Sequence, residues 1–162
     1  MATPKIGYAA MLEQFGPQEV VGYSADAEQH GFTGVMAADH FQPWVPRQGQ
    51  AAFVWNVMTA IGERTTGDVG PGVACPSFRM HPAIIAQATA TLGVMSDNRF
   101  TLGLGAGERL NEHVVGVGWP GLTERHERLA EARHLRGQHA DDEIGRPARR
   151  RGHHDVHRFR WK

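Results

Sequence analysis

Residues 32–44 read FTGVMAADHFQPW, and this stretch decides the fold. A short apolar run, which is typical of a buried strand, leads directly into Asp39, His40 and Trp44. In α/β proteins, the loops at the carboxyl ends of strands carry the chemistry. A second stretch at residues 100–113, FTLGLGAGERLNEH, repeats the arrangement with a strand-like run, glycines, a carboxylate and an amide. The two stretches together predict a parallel α/β protein with a site at one end of its strands.

Strand-like and helix-like segments alternate along the first 132 residues. The predicted strands are 6–11, 32–38, 68–74 and 100–104, and the predicted helices are 17–30, 53–64, 82–95 and 123–132. This order indicates a parallel sheet with right-handed crossovers. The spacing of roughly 30 residues per unit fits a TIM (β/α)8 barrel truncated to about four βα units. A doubly wound open sheet is the alternative.

Charge is distributed unevenly between two predicted regions. The formal net charge is zero, but residues 1–132 contain eight Lys and Arg against thirteen Asp and Glu, and residues 133–162 contain nine against four. The second region lacks aliphatic periodicity, so we expect a basic, disordered tail after the half-barrel of residues 1–132. The break is abrupt, and we hypothesise that the tail results from a reading-frame change or a misassigned end.

Several classes of function are disfavoured by composition. Cys75 is the only cysteine, which excludes an intrachain disulfide and favours a cytosolic setting. We find no signal peptide and no run near the roughly 18 apolar residues of a membrane span. The tail carries HHDVH at 153–157 and three arginines at 149–151, but neither pattern is specific, so we expect no metal site and no nucleic-acid partner.

Three groups of residues are candidates for chemistry. His40 follows a strand beside Asp39, and an imidazole with an ordinary pKa near 6.5 suits a general base; a structural histidine with a loop-capping Asp39 is the alternative. Glu108 and Asn111 are three apart, so one face of a short helix could present both, or could simply be a solvated helix start. The glycine-rich end of the third strand, 72–75, permits close approach to a flat ring, and a plain turn is the alternative.

The glycine run before Glu108 is not a dinucleotide fingerprint. Gly103, Gly105 and Gly107 are spaced G-x-G-x-G rather than G-x-G-x-x-G, and no acidic residue ends a following strand about 20 residues later. We therefore do not expect NAD as a coenzyme.

Seven collinear motifs resemble one known family. These are KIGY at 5–8, EQFGP at 13–17, DHFQPW at 39–44, MTAIGERT at 58–65, RMHPAIIAQATAT at 79–91, NRFTLGLGAGERLNEH at 98–113 and VGVGWP at 115–120. The chain resembles the oxidoreductases of the luciferase-like superfamily that depend on the deazaflavin coenzyme F420, in the branch of the F420-dependent glucose-6-phosphate dehydrogenases. The resemblance covers residues 5 to about 132.

The resemblance implies a role for each candidate. His40 would take the substrate hydroxyl proton while a hydride leaves the same carbon for the deazaflavin; Trp44 would line the pocket. Glu108 would be the acid near the coenzyme, and Glu13 a substrate-side carboxylate. The implied coenzyme site comprises Asp39, Gly72, Val73, Cys75 and Asn111, with a non-prolyl cis peptide at Gly72–Val73 on a bulged third strand. The family usually has serine where this chain has Gly72.

Alternatives to this function stay open. The same fold with flavin mononucleotide and oxygen would be a luciferase-like monooxygenase, and a non-catalytic remnant is a third reading. The resemblance implies a small-molecule substrate and a homodimer for the full-length family, whose second half supplies the phosphate-binding cations. We therefore expect impaired activity for this chain alone.

Overall fold

The computed structural model describes residues 4–141. Three parallel strands form one sheet: β1 (Tyr8–Ala10), β2 (Gly34–Ala37) and β3 (Asp68–Pro71), in the order β1-β2-β3. The register pairs Ala10 with Ala37 and Ala37 with Pro71, so the carboxyl ends of the strands are level. The tail motifs at 149–151 and 153–157 lie outside the described residues.

Helices connect the strands as the sequence predicts. They are α1 (Pro17–Gln29), α2 (Val54–Arg64), α3 (Pro82–Met95), α4 (Arg109–Glu112) and α5 (Leu122–Asp141), with 3-10 turns at Pro46–Gln48 and His113–Val115. The starts of α1 and α3 follow from local chemistry. Each helix begins with a proline; the carboxylate of Glu19 accepts the Gly16 amide at 2.9 Å, and His81 Nδ1 accepts the Ala83 amide at 3.1 Å.

The two faces of the sheet have different environments. Val35 and Ala37 on β2 are buried in the core, whereas Met36 between them is 47% exposed. Side chains alternate along a strand, so one face packs on the helices and the other is open. The core against the helices contains Leu12, Val20, Val54, Met58, Ile61, Val69 and Ile85.

The fourth predicted strand forms only partly. Residues 100–104 pair with the β3 segment through two isolated parallel bridges, Val69 with Phe100 and Ala74 with Leu104. Five steps along the β3 segment therefore match four steps along its partner, which places one extra residue, a bulge, in the third strand. The bulge interrupts the ladder, although the Gly103 amide still donates to Pro71 at 3.1 Å and the Ala74 amide to Gly103 at 2.8 Å.

The last helix is longer than the sequence predicts. Helix α5 continues to Asp141, past the boundary that the sequence predicts between the half-barrel and the tail, and the disorder of the tail stays a prediction. The loss of an apolar stripe does not end this helix, because residues such as Ala132 and Arg133 have high helix propensity. The remaining expected tail, 142–162, lies outside the described residues. No helix within residues 4–141 is both long enough and apolar enough to cross a membrane.

The packing of α3 gives a test of the fold. Ile85 is fully buried and its neighbour Ile84 is 50% exposed. Ile85→Ala should lower the free energy of unfolding by about 2–5 kcal/mol, because it leaves a cavity in the core. Ile84→Ala should change it by less than about 0.5 kcal/mol. Urea unfolding followed by circular dichroism measures both, and equal effects would contradict the assigned faces of α3.

Candidate active site

The segments that follow the strands bring Glu13, His40 and Glu108 together. His40 Nδ1 lies 2.5 Å from Glu13 Oε1, and His40 Nε2 lies 3.6 Å from Glu108 Oε1. The side chain of Glu13 is only 4% exposed, that of His40 17% and that of Glu108 38%. The three groups therefore run from the interior to the surface, and His40 and Glu108 lie close together.

Glu13 fixes the tautomer of His40. An ionised carboxylate can only accept hydrogen bonds, so Nδ1 carries the hydrogen and the neutral ring keeps its lone pair on Nε2. Nε2 is the nitrogen nearer to Glu108. Glu13 is buried behind the imidazole, and its Oε1 is already bonded to His40. This position does not support the substrate-side role that the resemblance implies for Glu13.

The contact between Glu13 and His40 moves both pKa values. The hydrogen bond that His40 donates to Glu13 raises the pKa of His40 above 6.5. The negative charges of Glu13, Glu108 and Asp39 raise it further, and burial opposes the shift. The same hydrogen bond lowers the pKa of Glu13 below 4.5 despite burial. The contact therefore favours the imidazolium form of His40 and the carboxylate form of Glu13.

Asn111 joins the loop after β2 to helix α4. Its Oδ1 accepts the main-chain amides of Phe41 at 2.8 Å and Gln42 at 3.1 Å, and its Nδ2 donates to Glu108 Oε1 at 2.5 Å. Asn111 is 2% exposed, and one amide hydrogen is left after these contacts. This side chain consequently sets the position of Glu108 relative to His40.

Trp44 covers one side of the imidazole. Its ring meets the ring of His40 edge to face, with centroids 5.0 Å apart and planes at 87°. Trp44 is 56% exposed, so the rest of the indole is available to a ligand. The structure thus places Trp44 beside His40, and the pocket-wall role that the resemblance implies stays a prediction.

Asp39 belongs to a buried network that sequence reasoning missed. Arg79 Nη2 lies 2.9 Å from both Asp39 Oδ2 and the Asp39 carbonyl oxygen, and Arg79 Nε lies 3.4 Å from Glu112 Oε1. Ser77 donates a short hydrogen bond to Glu112. Burial lowers the pKa of Arg79, but the hydrogen bond and charge of Asp39 outweigh it and leave the pKa raised. Arg79 therefore holds the loop that carries His40.

The coenzyme role predicted for Asp39 has one supporting observation. Asp39 is 3% exposed, and its Oδ1 has no hydrogen-bond partner among residues 4–141. A buried acceptor of this kind is normally satisfied. An N–H or O–H donor of a ligand ring would satisfy it, so the residues present fit a heteroaromatic coenzyme.

The segment 72–75 lies next to this site. Its peptide bond Gly72–Val73 is cis, as predicted, and Val73 is 42% exposed. The carbonyl of Val73 accepts the Asp39 amide at 3.4 Å. Cys75 is half-buried, and burial, with the charges of Glu112 and Asp39, raises the pKa of its thiol to about 12. The thiol therefore stays protonated near neutral pH and is a packing group rather than a nucleophile.

Two grooves lie elsewhere on the molecule. A groove of about 280 Å³ is lined by α1 and α2, and one of about 270 Å³ by α2 and α3. Neither is lined by a residue of the predicted site. Within residues 4–141 no three His, Cys, Asp or Glu side chains are grouped to hold a metal ion.

Comparison with known proteins establishes the family. The model of the luciferase-like monooxygenase family matches residues 1–159. The chain belongs to this family. The F420-dependent glucose-6-phosphate dehydrogenase of Intrasporangium calvum is 48% identical over 132 residues, which are 79% of this chain and 40% of that protein. The chain thus spans about 40% of the length of this luciferase-like relative.

Solved structures confirm the predicted barrel class. An F420-dependent secondary alcohol dehydrogenase in complex with an F420–acetone adduct superposes with a TM-score of 0.81 at 34% identity, over 91% of this chain and 44% of that one. A coenzyme F420-dependent tetrahydromethanopterin reductase from Methanopyrus kandleri superposes at 0.69 and 22% identity, covering 86% of this chain and 41% of that one, which shows the fold alone. The chain is a truncated barrel of the luciferase-like type.

Replacing Glu13 tests the electrostatics of this luciferase-like site. Glu13→Gln removes the strongest interaction that raises the pKa of His40, so that pKa should fall, as measured by NMR titration of the imidazole. Glu19→Gln is the matched control, because Glu19 contacts Gly16 and no histidine, and should leave the pKa of His40 unchanged. A pKa unaffected by Glu13→Gln would contradict the assigned contact.

The same pair predicts how stability depends on pH. The pKa of His40 is higher in the folded protein than its unfolded value near 6.5, so protonated His40 stabilises the fold below about pH 6.5. This stabilisation is lost as the pH rises through the pKa of His40 in the folded protein. The lowered pKa of Glu13 contributes stability above about 4.5, and this is lost as pH falls through the folded value. The difference in unfolding free energy between wild type and Glu13→Gln should therefore peak between roughly pH 4.5 and 6.5 and shrink on both sides. Urea unfolding at several pH values measures it, and a flat difference would contradict the pair.

Proposed function

We propose that this chain is the amino-terminal half of a coenzyme F420-dependent oxidoreductase acting on the CH–OH group of an alcohol or sugar phosphate. The observation that carries the proposal is the position of His40, with Nδ1 held by Glu13 and Nε2 directed toward Glu108 at the level carboxyl ends of the strands. Similarity to the F420-dependent glucose-6-phosphate dehydrogenase and to the F420-dependent secondary alcohol dehydrogenase supports F420 as the coenzyme and a sugar phosphate or secondary alcohol as the substrate class.

His40 acts as the general base in this proposal. Oxidation of an alcohol removes a hydride from carbon and a proton from its hydroxyl, and the neutral imidazole accepts that proton at Nε2. The carboxylate of Glu13 stabilises the imidazolium that forms, which makes it a positioning residue. The raised pKa of His40 strengthens the base and moves the pH at which it becomes neutral upward.

The other site residues bind the coenzyme and enclose the site. When bound, the deazaflavin supplies the hydride acceptor. Asp39 Oδ1 and the remaining amide hydrogen of Asn111 would bind polar edges of the ring, and Gly72, Val73 and Cys75 would line its place. Glu108 is the exposed acid at the coenzyme side of His40, and Trp44 limits the access of water. A cytosolic setting and a homodimer of the full-length protein complete the proposal.

The alternative functions are separated by a coenzyme titration. The chain is titrated with F420 and with flavin mononucleotide, and the absorbance of each ring is followed. We expect F420 to bind more tightly than flavin mononucleotide. We expect its affinity to be low in absolute terms, because about 60% of the relative's length lies outside the match. Tighter binding of flavin mononucleotide would support a monooxygenase of the family type, and no spectral change with either would support a non-catalytic remnant.

The role of His40 is tested in a chimera that joins residues 1–132 to the remaining length of the Intrasporangium calvum relative. The chimera should oxidise glucose 6-phosphate with F420, and kcat/KM should rise with pH through the raised pKa of His40. His40→Asn should lower kcat by about 10²–10⁴-fold. His30→Asn is the control, because exposed His30 contacts only the Asp26 carbonyl in its own helix. An active His40→Asn chimera would remove His40 from the mechanism.

A further inference from the structure

Met36 is placed on the open face of the sheet beside the site. It is 47% exposed, whereas its strand neighbours Val35 and Ala37 are 6% and 3% exposed. Alternation along β2 therefore puts Met36 on the face of the sheet opposite to the core side chains of Val35 and Ala37, one residue before the carboxyl end of the strand. No predicted role involved Met36, because an isolated methionine in an apolar strand is read as core.

The side chain of Met36 extends to the bulge of the third strand. A Cβ added at Gly72 would lie 2.0 Å from Met36 Cε, so the methyl group occupies the space that a side chain at 72 would fill. Val73, exposed on the bulge, continues the apolar surface, and a Cβ at Gly105 would lie 2.5 Å from Val73 Cγ2. Met36 and Val73 thus form an apolar floor next to backbone that has no side chains of its own at 72 and 105.

We propose that Met36 is a coenzyme-binding residue whose thioether and methyl group contact the face of the planar ring. This inference rests on the proposed function and assigns a contact within it. A flat ring fits the floor because Met36 and Val73 are both exposed there, and a polarisable thioether packs favourably against aromatic rings. The absence of a side chain at Gly72 is what leaves room for Met36 in this position.

Methyl NMR of the intact chain tests the contact directly. The chain is labelled at methionine Cε and titrated with F420, while coenzyme absorbance reports binding independently. The Met36 methyl resonance, assigned with Met36→Leu, should shift with increasing F420. The Met95 methyl should not move, because Met95 is exposed at the last residue of α3, which leads back to the amino end of the next strand segment.

Affinity measurements give a second test. Met36→Ala should weaken F420 binding about two- to tenfold, and Met95→Ala should leave it unchanged. Gly72→Ser should shift the Met36 methyl without ligand, since the new Cβ displaces it.

The outcomes separate this inference from the function on which it rests. If absorbance shows F420 binding while the Met36 methyl stays in place and Met36→Ala binds normally, Met36 is not a coenzyme contact and the proposed function stands. If F420 causes no absorbance change at any concentration, both are overturned.

Discussion

The level register of the parallel strands is the constraint on which the site depends. Ala10, Ala37 and Pro71 lie side by side, and the bridge between Ala74 and Leu104 continues this edge past the bulge. Residues far apart in sequence consequently leave the sheet at the same height. Glu13 and His40 are 27 residues apart and share a 2.5 Å hydrogen bond. A slip of one residue in β2 would turn the side chain of His40 away from Glu13 and abolish the pair.

The buried guanidinium of Arg79 stabilises this edge of the sheet. Arg79 neutralises part of the charge of Asp39 and Glu112, and its guanidinium also donates to the main chain at Asp39. Two buried carboxylates without such a partner would carry a large desolvation penalty. The loop that carries His40 is therefore fixed on one side by Glu13, on another by Asn111 and underneath by Arg79.

Local patterns predicted the elements better than the contacts between them. Helix α3 has the predicted bounds because proline, an apolar run and a polar stop mark both of its ends. The fourth strand was only partly predictable, since the bulge depends on backbone pairing between β3 and residues 100–104. The continuation of α5 beyond residue 132 was not predicted, because the prediction gave more weight to the loss of an apolar stripe than to helix propensity. Asp39, His40 and Glu108 were chosen as candidates because each follows a predicted strand. The buried network around Arg79 was not predicted, because its partners Glu112 and Asp39 are 33 and 40 positions away along the chain and no local pattern connects them.

The way Asn111 binds the loop has a consequence for how such a barrel can diversify. Its Oδ1 accepts main-chain amides of Phe41 and Gln42 and does not depend on what their side chains are. Phe41 is 52% exposed, and its side chain takes no part in these hydrogen bonds. Substitutions at 41 can therefore reshape the rim of the site, while the distance between His40 and Glu108 is kept.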